Sequence, residues 1–168
     1  MRGRDRERMT ATRRPAIRRW GLLPAIAALG TLFVVPPARP EEKTEGFITA
    51  ETAGILLIEG GECFSDPTYS PGAGERIVVY TPCAEGADNQ SYGFTHVPDG
   101  PYDRVALAAF AWRSCGERYA ELWRGGRHDL DYYPIMPTAE TWADGDRDVM
   151  CAVYRPTGRL SASVLPAP

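Results

Sequence analysis

The sequence is poor in lysine and histidine, and it lacks the short motifs that mark many enzymes. Lys43 is the only lysine among 19 basic residues, and His96 and His128 are the only histidines. No G-x-S-x-G, H-E-x-x-H, phosphate-binding loop or dinucleotide fingerprint is present. A nucleophile–His–acid set needs a Ser or Cys close to a histidine, and the sequence indicates none. We therefore predict a protein without catalytic residues and without a cofactor.

Long apolar runs are also scarce, and the longest one covers residues 20–35, which carry no charge. Eight arginines precede it within residues 1–19, and a basic head followed by an apolar core is typical of an export signal. The stretch is slightly shorter than the ~20 residues of a straight membrane-spanning helix. Pro36 is unfavourable for cleavage after Ala38. We expect an exported protein, either anchored in the membrane by residues 20–35 or secreted after cleavage. A buried helix in a cytosolic protein is the alternative.

The charge is divided unevenly between the two parts of the chain. Residues 1–40 carry nine arginines against Asp5 and Glu7, a net +7, whereas residues 41–168 carry ten basic and twenty acidic groups, a net −10. An acidic domain repels nucleic acid, so we predict no nucleic-acid partner.

The composition suggests three regions. Residues 1–40 form the basic head and apolar segment, residues 41–59 a linker and lead-in, and residues 60–168 the folded domain. The stretch 36–45 is rich in proline and charge, so we expect it to be a linker that buries nothing. Residues 48–58 are apolar without a clear period and fit a short helix or a strand.

Periodicity within the domain predicts several strands and one helix. We expect strands at 76–81 and 90–97, paired with each other, with Tyr92, Phe94 and His96 on one side. A third strand is expected at 149–154 and a last edge strand at 160–165, while residues 127–138 should be irregular.

The predicted helix begins near Asp99, with Pro101 in its first turn, and ends before Gly125. Three- and four-residue steps define one apolar face, formed by Val105, Ala108, Ala109, Trp112, Cys115, Tyr119 and Leu122. The predicted fold class is α+β, a small antiparallel sheet packed on one amphipathic helix.

Four cysteines, Cys63, Cys83, Cys115 and Cys151, fall within the domain. No two lie close together in the sequence, which disfavours a structural zinc site, and we predict no metal. In an exported chain an even number favours disulfides, and four cysteines allow three pairings. We favour Cys63–Cys83, which ties the GECF segment to the end of the RIVVYT strand. Cys115–Cys151 would then join the helix to the third strand.

Two further groups of residues suggest a site. Asp144, Asp146 and Asp148 resemble a calcium loop, but the positions of its essential glycine and final acid do not match, so a turn at Gly145 is favoured. Aromatic side chains of an exported domain can stack on sugars, and we name Tyr132, Tyr133 and Trp142 as a candidate binding surface. The alternative is that these aromatic residues belong to the core.

The order of motifs resembles the septum formation domain of exported or membrane-anchored actinobacterial proteins. The resemblance spans about residues 60–155 and rests on GECF, VVYTPC, Cys115-Gly116 in the helix, YYP, and GDR before Cys151. This chain has Glu62 where the family usually has Asp. It also has Gly86-Ala87-Asp88 where a Pro-His pair and an acid are common.

The resemblance implies an accessory protein of the cell envelope, linked to cell division. We expect a non-enzymatic extracytoplasmic protein that binds an envelope or division protein, or a cell-wall polymer. The alternative function is an exported hydrolase that acts on cell-wall material.

Overall fold

A computed structural model describes residues 41–167 of the chain. Its strands and helices are β1 (Cys63–Phe64), β2 (Thr68–Ser70), β3 (Glu75–Ile77), β4 (Asn89–His96), α1 (Arg104–Leu122), β5 (Asp131–Ile135), α2 (Ala139–Ala143) and β6 (Asp148–Tyr154). Strands β1, β4, β6 and β5 form one antiparallel sheet in that order, and β2 pairs with β3 in a separate hairpin. The predicted α+β class is confirmed.

The predicted anchor at residues 20–35 lies outside the described residues. Within residues 41–167, none of the helices has the length and apolar character needed to cross a membrane.

Strand β6 lies at the centre of the domain because its residues are almost all apolar. It pairs with β4 on one side and β5 on the other, and every residue from Val149 to Tyr154 is buried. Alternate side chains of a strand point to opposite faces of the sheet. Val149, Cys151 and Val153 belong to the core under helix α1, whereas Met150 and Tyr154 belong to a second core on the other face.

The predicted pairing of residues 76–81 with residues 90–97 is wrong. Strand β3 covers only Glu75–Ile77, and it pairs across a short turn with Thr68–Ser70. Closing a short loop costs less chain entropy than closing a long one, which favours this local hairpin. Most of the rest of the predicted strand lies beside β1 instead, where the Thr81 N–H donates to Cys63 O at 2.9 Å.

The prediction that Tyr92, Phe94 and His96 lie on one side of strand β4 is wrong, because the strand contains a β-bulge. The register shifts between Ser91 and Gly93, and Gly93 has a φ of 136°, which suits glycine. An extra residue in a strand reverses the alternation of side chains after it. Tyr92 therefore packs under helix α1, while Phe94 and His96 are exposed on the other side.

Helix α1 begins later than predicted. Its N-cap is Asp103, whose carboxylate accepts hydrogen bonds from the Val105 and Ala106 N–H groups at 2.9 and 3.1 Å. Asp99 instead forms an ion pair with Arg147.

The apolar face of helix α1 matches the predicted one only in part. The buried helical residues are Leu107, Ala111 and Cys115, whereas Val105 and Ala109 are exposed. The prediction was right at Cys115, and Ala108, Trp112, Tyr119 and Leu122 are partly buried and pack against the cores. It was wrong at Val105 and Ala109, and it missed Leu107 and Ala111.

Two other local predictions are wrong. Residues 131–135 form strand β5 and not an irregular segment, because a strand at the edge of a sheet tolerates Pro134. Residues 160–165 do not form an edge strand: in the described part of the chain they make one isolated bridge, between Leu160 and Ala87.

Two disulfides close the domain. Cys63 is bonded to Cys83 and Cys115 to Cys151, the pairing favoured from the sequence, with Cα–Cα distances of 5.2 and 5.4 Å. The first bond joins β1 to the turn before β4, and the second joins α1 to β6. These bonds are consistent with an oxidising, extracytoplasmic environment.

The segment before β1 covers the face of the sheet opposite helix α1. Ile48, Ile55 and Ile58 are buried there, and residues 55–57 form a single turn of 3-10 helix. The expectation that residues 36–45 bury nothing is wrong at Lys43, which is 3% exposed. Lys43 is buried because Asp66 and Asn89 provide hydrogen-bond acceptors for its ammonium group.

Candidate functional site

The three aromatic residues predicted to form a binding surface do not form one. Tyr133 is fully buried and Trp142 is 8% exposed. Tyr132 is half-buried, and its ring stacks on Tyr119 of helix α1 with 5.0 Å between ring centroids. The prediction is wrong because both faces of strand β5 are covered: Tyr132 packs under the helix, and Tyr133 packs in the core on the opposite face.

The acidic run at 144–148 forms a turn, as the sequence favoured. Gly145 has a φ of 96°, and Arg147 pairs with Asp99 at 3.1 Å. The Asp146 carboxylate accepts a hydrogen bond from the Asp148 N–H at 3.0 Å. Within residues 41–167, Cys, His, Asp and Glu side chains nowhere gather in a group of three or more that could hold a metal ion.

The two histidines lie in different surroundings. His128 is exposed on the segment after helix α1. His96, at the end of strand β4, lies with Nδ1 2.9 Å from Asp148 Oδ1, and both side chains are more than half exposed.

A small apolar cavity opens on the face of the sheet opposite helix α1. It has a volume of about 170 Å³ and lies between the 3-10 turn, β4 and β6. We call it the Leu56–Phe94 cleft. Its apolar lining comprises Ile55, Leu56, Ile58, Phe94, Ile135 and Met150.

Two apolar side chains that line this cleft are also exposed to solvent, Leu56 at 74% and Phe94 at 42%. Leu57, the residue after Leu56 in the same 3-10 turn, is 82% exposed. Ile55 turns inward in the same 3-10 turn and holds it to the core, so the two leucines project outward. Exposed apolar side chains grouped around a cavity are characteristic of a surface that another molecule covers.

The rim of the Leu56–Phe94 cleft is acidic. Asp146 and Asp148 both line it, and Asp148 pairs with His96. Since the domain as a whole carries a net −10, this rim favours a partner with positive charge.

A depression of about 240 Å³ beside Trp142 and the start of helix α1 is larger than the Leu56–Phe94 cleft. Two more are shallower and more polar, with volumes of about 400 and 510 Å³. Arg127 and Arg155 line the first, and both already pair with Asp129. The hydrogen bond from Arg127 and the charge of Arg155 hold the pKa of Asp129 at about 2, so this carboxylate stays ionised and paired with both arginines. In the second depression, Arg76 donates to the Pro67 carbonyl. The charged groups named here are therefore occupied within the domain.

The residues of the Leu56–Phe94 cleft were not singled out from the sequence. The run at 48–58 is apolar, but because it has no clear period the sequence does not separate buried Ile55 from exposed Leu56 and Leu57. Phe94 was expected on the same side as Tyr92, and the bulge at Gly93 reversed it.

Neither a protein-family model, nor a curated protein, nor a solved structure matches this chain, so the case for its function rests on these residues.

Proposed function

We propose that residues 41–167 form an extracytoplasmic binding domain of the cell envelope. In this proposal residues 1–40 direct export, and residues 20–35 either stay in the membrane as an anchor or are removed. The partner is a protein segment that inserts one apolar side chain into the Leu56–Phe94 cleft and places a Lys or Arg beside Asp146 and Asp148. The resemblance to the septum formation domain adds the proposal that this partner acts in cell division.

The observation that carries the proposal is the combination of a small cavity with exposed apolar side chains. A volume of about 170 Å³ is below the ~300–1,000 Å³ of pockets that enclose small molecules. It suits a single aliphatic or aromatic side chain. Leu56, Leu57 and Phe94 supply further apolar area around the inserted group.

The charge of the rim supports a basic partner. Asp146 and Asp148 lie at the cleft, and complementary charge across an interface speeds association and excludes wrong partners. A cationic residue next to the inserted apolar one would meet both carboxylates.

The test places a photo-reactive phenylalanine analogue at position 57 of the full chain, in the cells that make the protein. Position 105 on helix α1 is the matched control, because Val105 is 81% exposed and lies outside the cleft. We expect one discrete cross-linked protein from position 57 and none from position 105. The cross-linked segment should contain a large apolar residue within two positions of a Lys or Arg.

Charge reversal provides the second part of this test. With Asp146→Lys and Asp148→Lys added, cross-linking from position 57 should fall at least tenfold. Equal cross-linking from positions 57 and 105, or cross-linking unaffected by the charge reversal, contradicts the proposal.

A second candidate function is the exported hydrolase, favoured by the contact of His96 with Asp148 at the cleft. A histidine oriented by a carboxylate is a common general base. Purified protein would then release soluble fragments from cell-wall material, and His96→Ala would abolish the release. The binding proposal expects no release from either protein.

A further inference from the structure

The only lysine of the chain is buried in a cluster of polar and aromatic side chains, which we call the Lys43 cluster. Lys43 Nζ lies 2.5 Å from Asp66 Oδ1 and 2.9 Å from Asn89 Oδ1. The Asn89 amide nitrogen donates to the same Asp66 oxygen at 2.8 Å. One carboxylate thus contacts both the amine and the amide nitrogen.

The orientation of the Asn89 amide follows from these partners. Its nitrogen faces a carboxylate, which only accepts, and its oxygen faces the ammonium group, which only donates. The Tyr133 hydroxyl donates a second hydrogen bond to Asn89 Oδ1 at 3.0 Å. Burial raises the pKa of Tyr133 well above its ordinary value, so this phenol keeps its proton.

The cluster is shielded from water. Lys43, Asn89, Tyr133 and Tyr154 are buried, and Asp66 is the most exposed member, with a quarter of its side chain accessible. The rings of Phe47, Tyr154 and Tyr133 surround Nζ at 4.9, 5.0 and 5.9 Å from their centroids. The Lys43 N–H donates to the Tyr154 hydroxyl at 3.0 Å, which holds the backbone of this segment in place.

We propose that Lys43 and Asn89 form an intramolecular isopeptide bond. The Lys43 ammonium group contacts the Asp66 carboxylate directly, which gives one of its protons a short path to that carboxylate. The neutral amine is a nucleophile, and the carbon bonded to Asn89 Oδ1 is the electrophile. Nζ is already 2.9 Å from that oxygen, and the attack requires it to move over the adjacent carbon to the ~3–3.5 Å of a near-attack geometry.

The reaction balances with the groups present. Nζ forms a bond to Asn89 Cγ, and the carbonyl electrons move onto Oδ1, where the Tyr133 hydroxyl stabilises the developing charge. The tetrahedral intermediate then breaks its bond to the amide nitrogen. Asp66, in contact with both nitrogens, carries two protons in turn from Nζ to the leaving nitrogen, the first before the attack and the second from the tetrahedral intermediate. The lysine ammonium and the asparagine amide become a secondary amide and an ammonium ion, and the Asp66 carboxylate is regenerated.

The product would tie the start of the domain to the sheet. Lys43 and Asn89 are 46 positions apart, and Asn89 is the first residue of strand β4. Mechanical force on the chain before Lys43 would be transmitted directly to β4. Residues 44–58 could not detach from the sheet by unfolding from the N-terminal side. This inference does not depend on what the Leu56–Phe94 cleft binds.

Because the chain has a single lysine, the bond can be detected as the loss of its only side-chain amine. We would denature and reduce the full-length protein and modify every free amine by reductive methylation. The mass should be about 17 Da lower than expected, the mass of ammonia, and no side-chain amine should react. Lys43→Arg is the reference for any processing of the N-terminus, since it cannot form the bond. Digestion should yield one branched peptide containing Lys43 and Asn89.

The same measurement tests the role assigned to Asp66. Asp66→Asn should keep the full mass and a reactive Lys43, with circular dichroism and both disulfides reporting a folded protein. If that variant does not fold, Tyr133→Phe retains the ring and should form the bond about a hundredfold more slowly.

Two results would overturn the proposal. Full mass with a fully methylated Lys43 in the wild-type protein means that the cluster is only an ion pair. Bond formation at the wild-type rate in folded Asp66→Asn or in Tyr133→Phe means that these residues do not perform the proposed chemistry.

Discussion

Replacing Cys115 and Cys151 together by alanine removes the bond between helix α1 and the central strand β6. The two residues are 36 positions apart, and both are fully buried in the core under the helix. In the chain-entropy model a loop of this length contributes about 4 kcal/mol to the free energy of unfolding. Losing two buried sulfur atoms leaves a small cavity that costs about 1 kcal/mol more.

The total, about 5 kcal/mol, is a large part of the ~5–15 kcal/mol that stabilises a domain of this size. The matched variant replaces Cys63 and Cys83, whose separation is 20 positions and whose second member is only half-buried. Its expected cost is about 3 kcal/mol. The core disulfide should therefore matter more than the other one.

Urea unfolding at equilibrium, followed by circular dichroism, measures both costs. With a slope of about 1.5 kcal/mol per molar urea, the Cys115→Ala/Cys151→Ala midpoint should fall by roughly 3 M. A loss of less than about 1 kcal/mol would refute the reasoning. So would a greater loss from the Cys63→Ala/Cys83→Ala variant than from this one.

Two further predictions concern the aromatic packing. A Cβ on Gly116 would lie 2.5 Å from the Tyr132 hydroxyl oxygen, so Gly116→Ala should lower the free energy of unfolding by about 1–3 kcal/mol. Adding Tyr132→Phe should restore most of it in urea unfolding, and no recovery would contradict this contact. Burial raises the pKa of Tyr154 to about 12 and the pKa values of Tyr133 and Tyr92 further, against ~10 in the unfolded chain. The contribution of these protonated tyrosines to the stability of the folded protein is complete below pH 10 and is lost as the pH rises through 12. An absorbance titration should therefore show at least three of the eight tyrosines ionising only as the helical circular dichroism disappears, and ionisation of all eight before the protein unfolds would argue against burial.

Local patterns were enough to predict the class of the fold and its best-defined elements. The apolar β-branched run at 149–154 is strand β6, and Cys115 lies on the buried face of helix α1. These signals are local, because a central strand and an amphipathic helix each impose their own composition on the sequence.

The errors arise where a tertiary contact overrides a local pattern. The bulge at Gly93 reversed the faces of β4, and the edge position allowed Pro134 into β5. The sequence suggested that a proline-rich, charged segment stays exposed. Lys43 is nevertheless buried, because Asp66 and Asn89 lie more than twenty positions away along the chain but next to it in space.

The candidate site was the least predictable part. Aromatic composition pointed to Tyr132, Tyr133 and Trp142, which pack inside the domain. The exposed Leu57 carries no signal of its own, since an isolated leucine is usually buried. Only the direction of the 3-10 turn shows that it projects outward.

The thiol state of the protein in intact cells tests most directly whether this domain is exported and closed by disulfides. Cells would be quenched in acid, and the denatured protein would be treated with a maleimide that adds a large mass to each free thiol, before and after reduction. We predict no modification before reduction and four additions after it, one for each cysteine. Two or more additions before reduction would show that the chain folds with free thiols, and would contradict the account.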